Sequence, residues 1–150
     1  MGYRRLDADA AFWRPSSQMS VMNSDLAKQL EARMLGARLW RLEPGQSSTR
    51  HRHHNQEEFY VVLEGGGRIQ VDGELLTLAR LDALLVEPDS VRQIFNDTDV
   101  EHLWLVIGAP PEQANTLEMS EEQLQFLYPD GPKALPPEVT AGGPPVAGAP

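Results

Sequence analysis

Residues 45–67 read Gly45-Gln46-Ser47-Ser48-Thr49-Arg50-His51-Arg52-His53-His54-Asn55-Gln56-Glu57-Glu58-Phe59-Tyr60-Val61-Val62-Leu63-Glu64-Gly65-Gly66-Gly67. Three of the four histidines fall within positions 51–54. His51 and His53 stand at i and i+2, so an extended backbone sends both imidazoles to one face. Glu58 follows, immediately before the apolar run Phe59 to Leu63, which has strand composition. Strand parity groups Glu58 with Tyr60 and Val62. Two imidazoles and one carboxylate brought together from adjacent strands hold a divalent metal by three protein ligands and leave coordination positions open.

Outward from this stretch the chain keeps a strand rhythm. Leu39-Trp40-Arg41-Leu42 alternates and ends in the Pro44-Gly45 turn. Arg68 to Val71 runs into Asp72-Gly73, a two-residue hairpin signal. Leu75, Leu76 and Leu78, then Ala83 to Val86, Val91 to Asn96 and His102 to Ile107 supply further strands. Many short strands separated by Gly- or Pro-marked turns predict a sandwich or barrel. Upstream, the spacing of Leu26, Leu30 and Met34 predicts a helix over 24–35, with Ser24 as N-cap and Gly36 as stop. Downstream, Ser120-Glu121-Glu122-Gln123 reads as a capping box. The expected organisation is an arm and short helix over 1–36, a β-barrel over 37–109, a helical segment over 110–130 and a disordered Pro/Gly-rich tail over 131–150.

The spaced string Gly45, five residues, His51-x-His53, four residues, Glu58, six residues, Gly65 resembles the first signature motif of the cupins. A second, degenerate motif is similar to the family's over residues 81–96. Asp82, the apolar run and Asn96 fit, while Leu81, Glu87 and Asp89 replace the usual Gly, Pro and Gly. Arg92 stands where the family carries a fourth ligand, histidine. The resemblance implies an all-β fold of cupin type, a β-barrel or jelly roll with short flanking helices. It also implies that His51, His53 and Glu58 are metal ligands for Fe, Mn, Ni or Zn, and that the protein works as a homodimer.

Composition narrows the field. At 150 residues the chain suits one domain, and without cysteine it has neither disulfides nor thiolate ligands. A formal net charge of −9 argues against nucleic acid as a partner. No apolar run reaches the ~18 residues of a membrane span, no leader pattern opens the chain, and a cytoplasmic location is expected.

The remaining polar residues divide by parity and chemistry. His54 points to the opposite face and is expected in solvent, with Glu57 as substitute ligand if the register slips by one. His102 reads as a strand-end histidine. Tyr60 shares the face of Glu58 and is a candidate wall of the ligand cavity. Arg92 cannot ligate a metal and leaves three alternatives: a clamp for an anionic substrate, an ion pair with Glu58, or a side chain aimed at solvent or Asp89. The favoured function is a metal-dependent oxygenase, isomerase or lyase acting on a small, possibly anionic, organic molecule. The alternative is a non-catalytic cupin that binds a small anionic ligand through Arg92.

Overall fold

A computed structural model describes residues 2–112 and 116–140. Among these residues, nine strands form two antiparallel sheets. The larger sheet runs in the order β1 (Arg14–Pro15), β2 (Met22–Asp25), β3 (Gly36–Leu42), β9 (His102–Ala109), β4 (Glu57–Glu64), β7 (Ala83–Val86). The smaller has the order β6 (Glu74–Leu78), β5 (Gly67–Val71), β8 (Arg92–Phe95). The fold is an all-β jelly roll whose two sheets are not closed into one hydrogen-bonded barrel.

Residues 47–53 lie antiparallel beside β8, with backbone pairs Ser47–Phe95 and His51–Arg92. Between the sheets sit Leu42, Val62, Ile69 and Trp104, all fully buried, with Tyr60 packed edge-on to Trp104. Alternation along β4 puts Glu58, Tyr60 and Val62 inside and leaves Glu57 and Phe59 exposed.

Two motif glycines have steric reasons. Gly45 adopts φ +88° and Gly65 φ +77°, a region that side chains with a Cβ seldom occupy. A Cβ on Gly65 would also lie 1.8 Å from the Glu101 carbonyl oxygen. Leu81, where the motif normally has glycine, likewise sits at φ +70° and is largely exposed.

The helix expected over 24–35 is replaced by a strand and a short turn of helix. Met22–Asp25 pairs with β3, and α1 covers only Leu26–Gln29. Ser24 is buried inside β2, and Asp25 caps α1 instead, accepting from the Lys28 amide at 2.9 Å. Glu31 at φ 56° ends the helical path, and Gly36 opens β3 rather than stopping a helix. Edge pairing with β3 outweighs helical spacing here, and Met34 of the supposed stripe is 80% exposed.

The capping box forms at α2 (Glu121–Leu127): Ser120 Oγ accepts from the Gln123 amide, and the Gln123 side chain accepts from the Ser120 amide. Within the expected tail, residues 131–139 cover the outer face of the smaller sheet. Gln93 donates to the Ala134 carbonyl at 2.8 Å, Gln70 donates to Glu138 at 2.5 Å, and Pro136 is buried. The rest of that tail, 141–150, lies outside the described residues. No helix among the described residues is long and apolar enough to cross a membrane.

Candidate metal centre and cavity

His51 reaches the site because the segment 47–53 pairs with β8. The His51 amide donates to the Arg92 carbonyl at 3.0 Å, and the Arg92 amide donates to the His51 carbonyl at 2.8 Å. Directly paired residues project to the same face of a sheet. His51 and Arg92 are therefore both turned inward, and His53 follows at i+2.

The odd and even positions part company over 50–54. His51 and His53 point in, with ring centroids 4.9 Å apart and planes near perpendicular. Arg50, Arg52 and His54 point out and grip the C-terminal segment. Arg50 pairs with Asp130 at 2.7 Å, while the Arg52 guanidinium and the His54 ring both lie against the ring of Phe126. The Arg52 side chain also donates to the Phe126 carbonyl at 2.6 Å. His54 is thus exposed but engaged, and it is not part of the inward cluster.

Inside, His51, His53 and Glu58 offer ligand atoms that all lie within 4.8 Å of one another. Glu58 Oε1 is 3.2 Å from His51 Nε2 and 3.3 Å from His53 Nε2. The opposite ring nitrogens are already committed. His51 Nδ1 donates to the Thr49 carbonyl at 2.9 Å, and His53 Nδ1 faces Glu112 Oε2 at 3.1 Å. A carbonyl can only accept, so the His51 Nδ1 carries the proton, and an ionised Glu112 requires the same of His53. When the rings are neutral both Nε2 atoms thus turn lone pairs toward one carboxylate. When protonated they face it as donors, and His53 Nε2, though buried, is poorly aligned with it for a hydrogen bond. That donor set fits a divalent transition metal.

Glu112 carried no motif signal. Beyond His53, its carboxylate accepts from the amides of His54, Asn55 and Gln56. Partial burial pushes its carboxyl up, but those three amides and His53 outweigh burial and hold it below the usual carboxylate range. Glu58 behaves similarly: burial raises it, yet hydrogen bonds and charge from His51 and His53 bring it well below its ordinary value. Tyr60 donates to Glu58 Oε1 at 2.9 Å. Burial first, then the Glu58 charge, pushes the Tyr60 hydroxyl well above 10, with Arg92 opposing, so it stays a donor.

Arg92 faces neither solvent nor Asp89. Its side chain is fully buried, with Nε 3.5 Å from Glu58 Oε1. Nη1 donates to the Pro88 carbonyl at 3.1 Å, and Nη2 donates to those of Glu87 at 2.9 Å and Val86 at 3.5 Å. The guanidinium is committed to Glu58 and the 86–88 turn, and it does not line the cavity.

Above the trio opens a cavity of about 510 Å³, to which Tyr60, Gln56, Trp40, Leu127 and Tyr128 contribute. Gln56 is buried and lies flat on Gly108, where a Cβ would come 2.6 Å from its Cδ. His102 does not reach this cavity. It is buried at the start of β9, with Nε2 3.0 Å from Thr98 Oγ1.

Comparison with known proteins agrees with this geometry. The model of the cupin domain matches residues 38–108. A sugar phosphate isomerase of the cupin superfamily from Silicibacter pomeroyi has the same fold, with TM-score 0.65 and 28% identity, covering 72% of this chain and 76% of that one. A cupin protein from Bacteroides fragilis aligns with TM-score 0.59 and 24% identity, over 80% of this chain and 97% of that one. An uncharacterized protein of Methanocaldococcus jannaschii is 29% identical over 77 residues, 51% of this chain. The match spans 62% of the length of that relative.

Proposed function

The protein is a small cupin-domain protein, and on that premise we propose that it is a metal-dependent enzyme acting on a small polar organic molecule. His51, His53 and Glu58 would hold one divalent ion of Fe, Mn, Ni or Zn. The observation that carries this reading is the fixed orientation of both imidazoles. With each Nδ1 tied to an acceptor, the two Nε2 lone pairs and an ionised carboxylate converge beside a polar cavity. A bound metal would supply Lewis-acid polarisation of a substrate oxygen. The chain's own residues do the rest: Tyr60 and Arg92 hold Glu58 in place, Glu112 holds His53, and Gln56 presents an amide to the cavity. Isomerase or lyase chemistry suits this set, and the 28% identity to a sugar phosphate isomerase supports the same class.

Elemental analysis of protein purified without added metal tests the reading, with about one transition metal per chain expected. The ion should be lost in His51→Ala, His53→Ala and Glu58→Gln and kept in His54→Ala. A His51→Ala/His53→Ala double variant that retains its metal would refute the ligand assignment.

One observation favours a second reading, a non-catalytic binder. The Arg92–Glu58 contact at 3.5 Å can neutralise the carboxylate without a metal. Anion binding at Arg92 itself would require Nη1 and Nη2 to leave the carbonyls of Val86, Glu87 and Pro88. Metal-free protein at natural purity would favour this binder.

We also propose that the chain pairs as a homodimer. The outward face of β4 and β7 leaves Phe59 41% and Leu85 55% exposed as cross-strand neighbours, an apolar surface suited to burial. Light scattering at micromolar concentration should give twice the chain mass, and a monomer would reject the pairing.

A further inference from the structure

The inner face of the larger sheet carries an unusual row. Glu58 on β4 pairs with Gly108 on β9, which pairs with Gly36 on β3. From the metal trio outward this row has no side chain of its own for two strands, and the buried Gln56 side chain occupies that space over Gly108. The neighbouring row reads Tyr60, Val106, Arg38 and Asp25. The next places Trp40 beside Asn23, and Asn23 beside Arg14.

The β1–β3 side of the cavity is cationic. Arg14, Lys28 and Arg38 all line the cavity there. Asp25 stands among them, and both of its carboxylate oxygens are engaged, one 3.0 Å from Arg38 Nη2 and the other capping α1 through the Lys28 amide. Arg38 is held in place, with Nη1 donating to Asn23 Oδ1 at 2.7 Å and its guanidinium over the Trp40 ring. Arg14 and Lys28 enter no ion pair among the described residues. Three cations converging on one cavity wall are notable in a chain of net charge −9 with only 13 lysines and arginines. Such a patch focuses field toward an anion.

We propose that Arg14, Lys28 and Arg38 form an oxyanion subsite for the phosphate or carboxylate end of the ligand, with its carbon skeleton crossing the cavity between Trp40 and Gln56 toward the metal trio. Arg38 lies two strands from Tyr60, and strands are about 4.8 Å apart, so the anionic head sits roughly 10 Å from the metal trio in backbone terms. The ligand is a small polar molecule several bonds long, charged at one end and presenting an oxygen at the other. This subsite rests on the enzyme reading only for which end reacts. It assigns the anion to the β1–β3 side of the cavity instead of to Arg92.

The test is made on the His51→Ala/His53→Ala variant in the presence of a chelator, so that no metal can hold the probe. Inorganic phosphate and malonate are titrated by calorimetry against this background and against the same background with Arg14→Met, Lys28→Met, Arg38→Met or, as an outlying exposed cation, Arg80→Met. At least one probe is expected to bind. Arg38→Met should weaken it at least tenfold, as loss of charge-assisted hydrogen bonds implies. Arg14→Met and Lys28→Met should each weaken it several-fold, and Arg80→Met should have no effect. Lys28 and Arg14 are exposed side chains without ion pairs, so their variants keep the test valid if Arg38→Met fails to fold. Preference for phosphate or for malonate identifies the head group, and dependence of either on these three cations supports the subsite. No binding of either probe, or binding that is equal in the Arg14, Lys28 and Arg80 variants, overturns it. Because metal content is measured separately on the parent protein, failure of the metal reading and failure of this subsite give different results.

Discussion

His51 and His53 on one side, and His102 on the other, are all withdrawn from water and all hydrogen-bonded, yet they are chemically opposite. The first two keep 21% and 15% side-chain exposure at the edge of a cavity, whereas His102 is 1% exposed. At the trio, acceptors take both Nδ1 atoms and leave two Nε2 atoms aimed at one carboxylate oxygen. At His102 the polar groups close on themselves: Nε2 meets Thr98 Oγ1, and Thr98 Oγ1 donates to Asn96 Oδ1 at 2.6 Å. Asn96 in turn donates to the carbonyls of Leu42 and Val100. His102 Nδ1 is also buried without a hydrogen-bond partner, but among the described residues it belongs to no cluster of potential metal ligands. An orphan nitrogen alone marks a neutral core histidine, and convergence of several donors marks a site.

The largest effect is expected at the trio. Replacing both His51 and His53 should abolish metal binding, while His102→Gln should leave metal content unchanged. An intermediate effect is expected at Glu112, which touches no proposed open position. Glu112→Gln replaces the carboxylate that fixes the His53 tautomer, and such outer contacts typically contribute 10–100-fold to metal affinity. Competition with a chromogenic chelator measures this, and an unchanged affinity would reduce Glu112 to a loop anchor.

A smaller effect is expected at His102, and it is read in stability. Burial lowers its pKa to about 4, with Asp97 opposing and Arg68 assisting. The folded pKa lies below the unfolded value near 6.5, so the unfolded chain binds more protons between those limits. Stability is therefore full above about 6.5 and declines as pH falls toward 4, by up to about 1.4 kcal/mol per pH unit. Urea unfolding at pH 5 to 6.5 should show this slope in the wild type and a shallower one in His102→Gln. Glu58 and Glu112 are also lowered, but a lowered carboxylate contributes its loss only below about 4.5, outside that window. Equal slopes in the two proteins would mean that His102 titrates freely.

Much of this arrangement is readable in residues 45–67. The motif spacing to Gly65 selects Glu58 over Glu57 and strand parity agrees, while parity separates His51 and His53 from His54, because the strand period of two is rigid. Helical spacing misleads over 24–35, since whether Met22–Asp25 pairs at the edge of β3 depends on tertiary contacts that no local pattern contains. Glu112 escapes notice because its role arises from chain return after Pro110-Pro111, about 60 positions from the histidine it holds in sequence terms. The direction of Arg92 is likewise a pairing property: its partner His51 turns it inward, while the carbonyls of the 86–88 turn decide which of its nitrogens remain for Glu58. The composition of 131–140 suggests a free tail, but buried glutamine amides on β5 and β8 donate to its Ala134 carbonyl and Glu138 carboxylate.

A single metal among His51, His53 and Glu58 would be located by anomalous scattering. Crystals grown with manganese, with data collected where manganese scatters anomalously, should show one strong peak per chain in contact with His51 Nε2, His53 Nε2 and Glu58. The peak should be absent in the His51→Ala/His53→Ala variant. A wild-type map with no peak there, and Arg92 still paired with Glu58, would contradict the metal centre and leave the binder in its place.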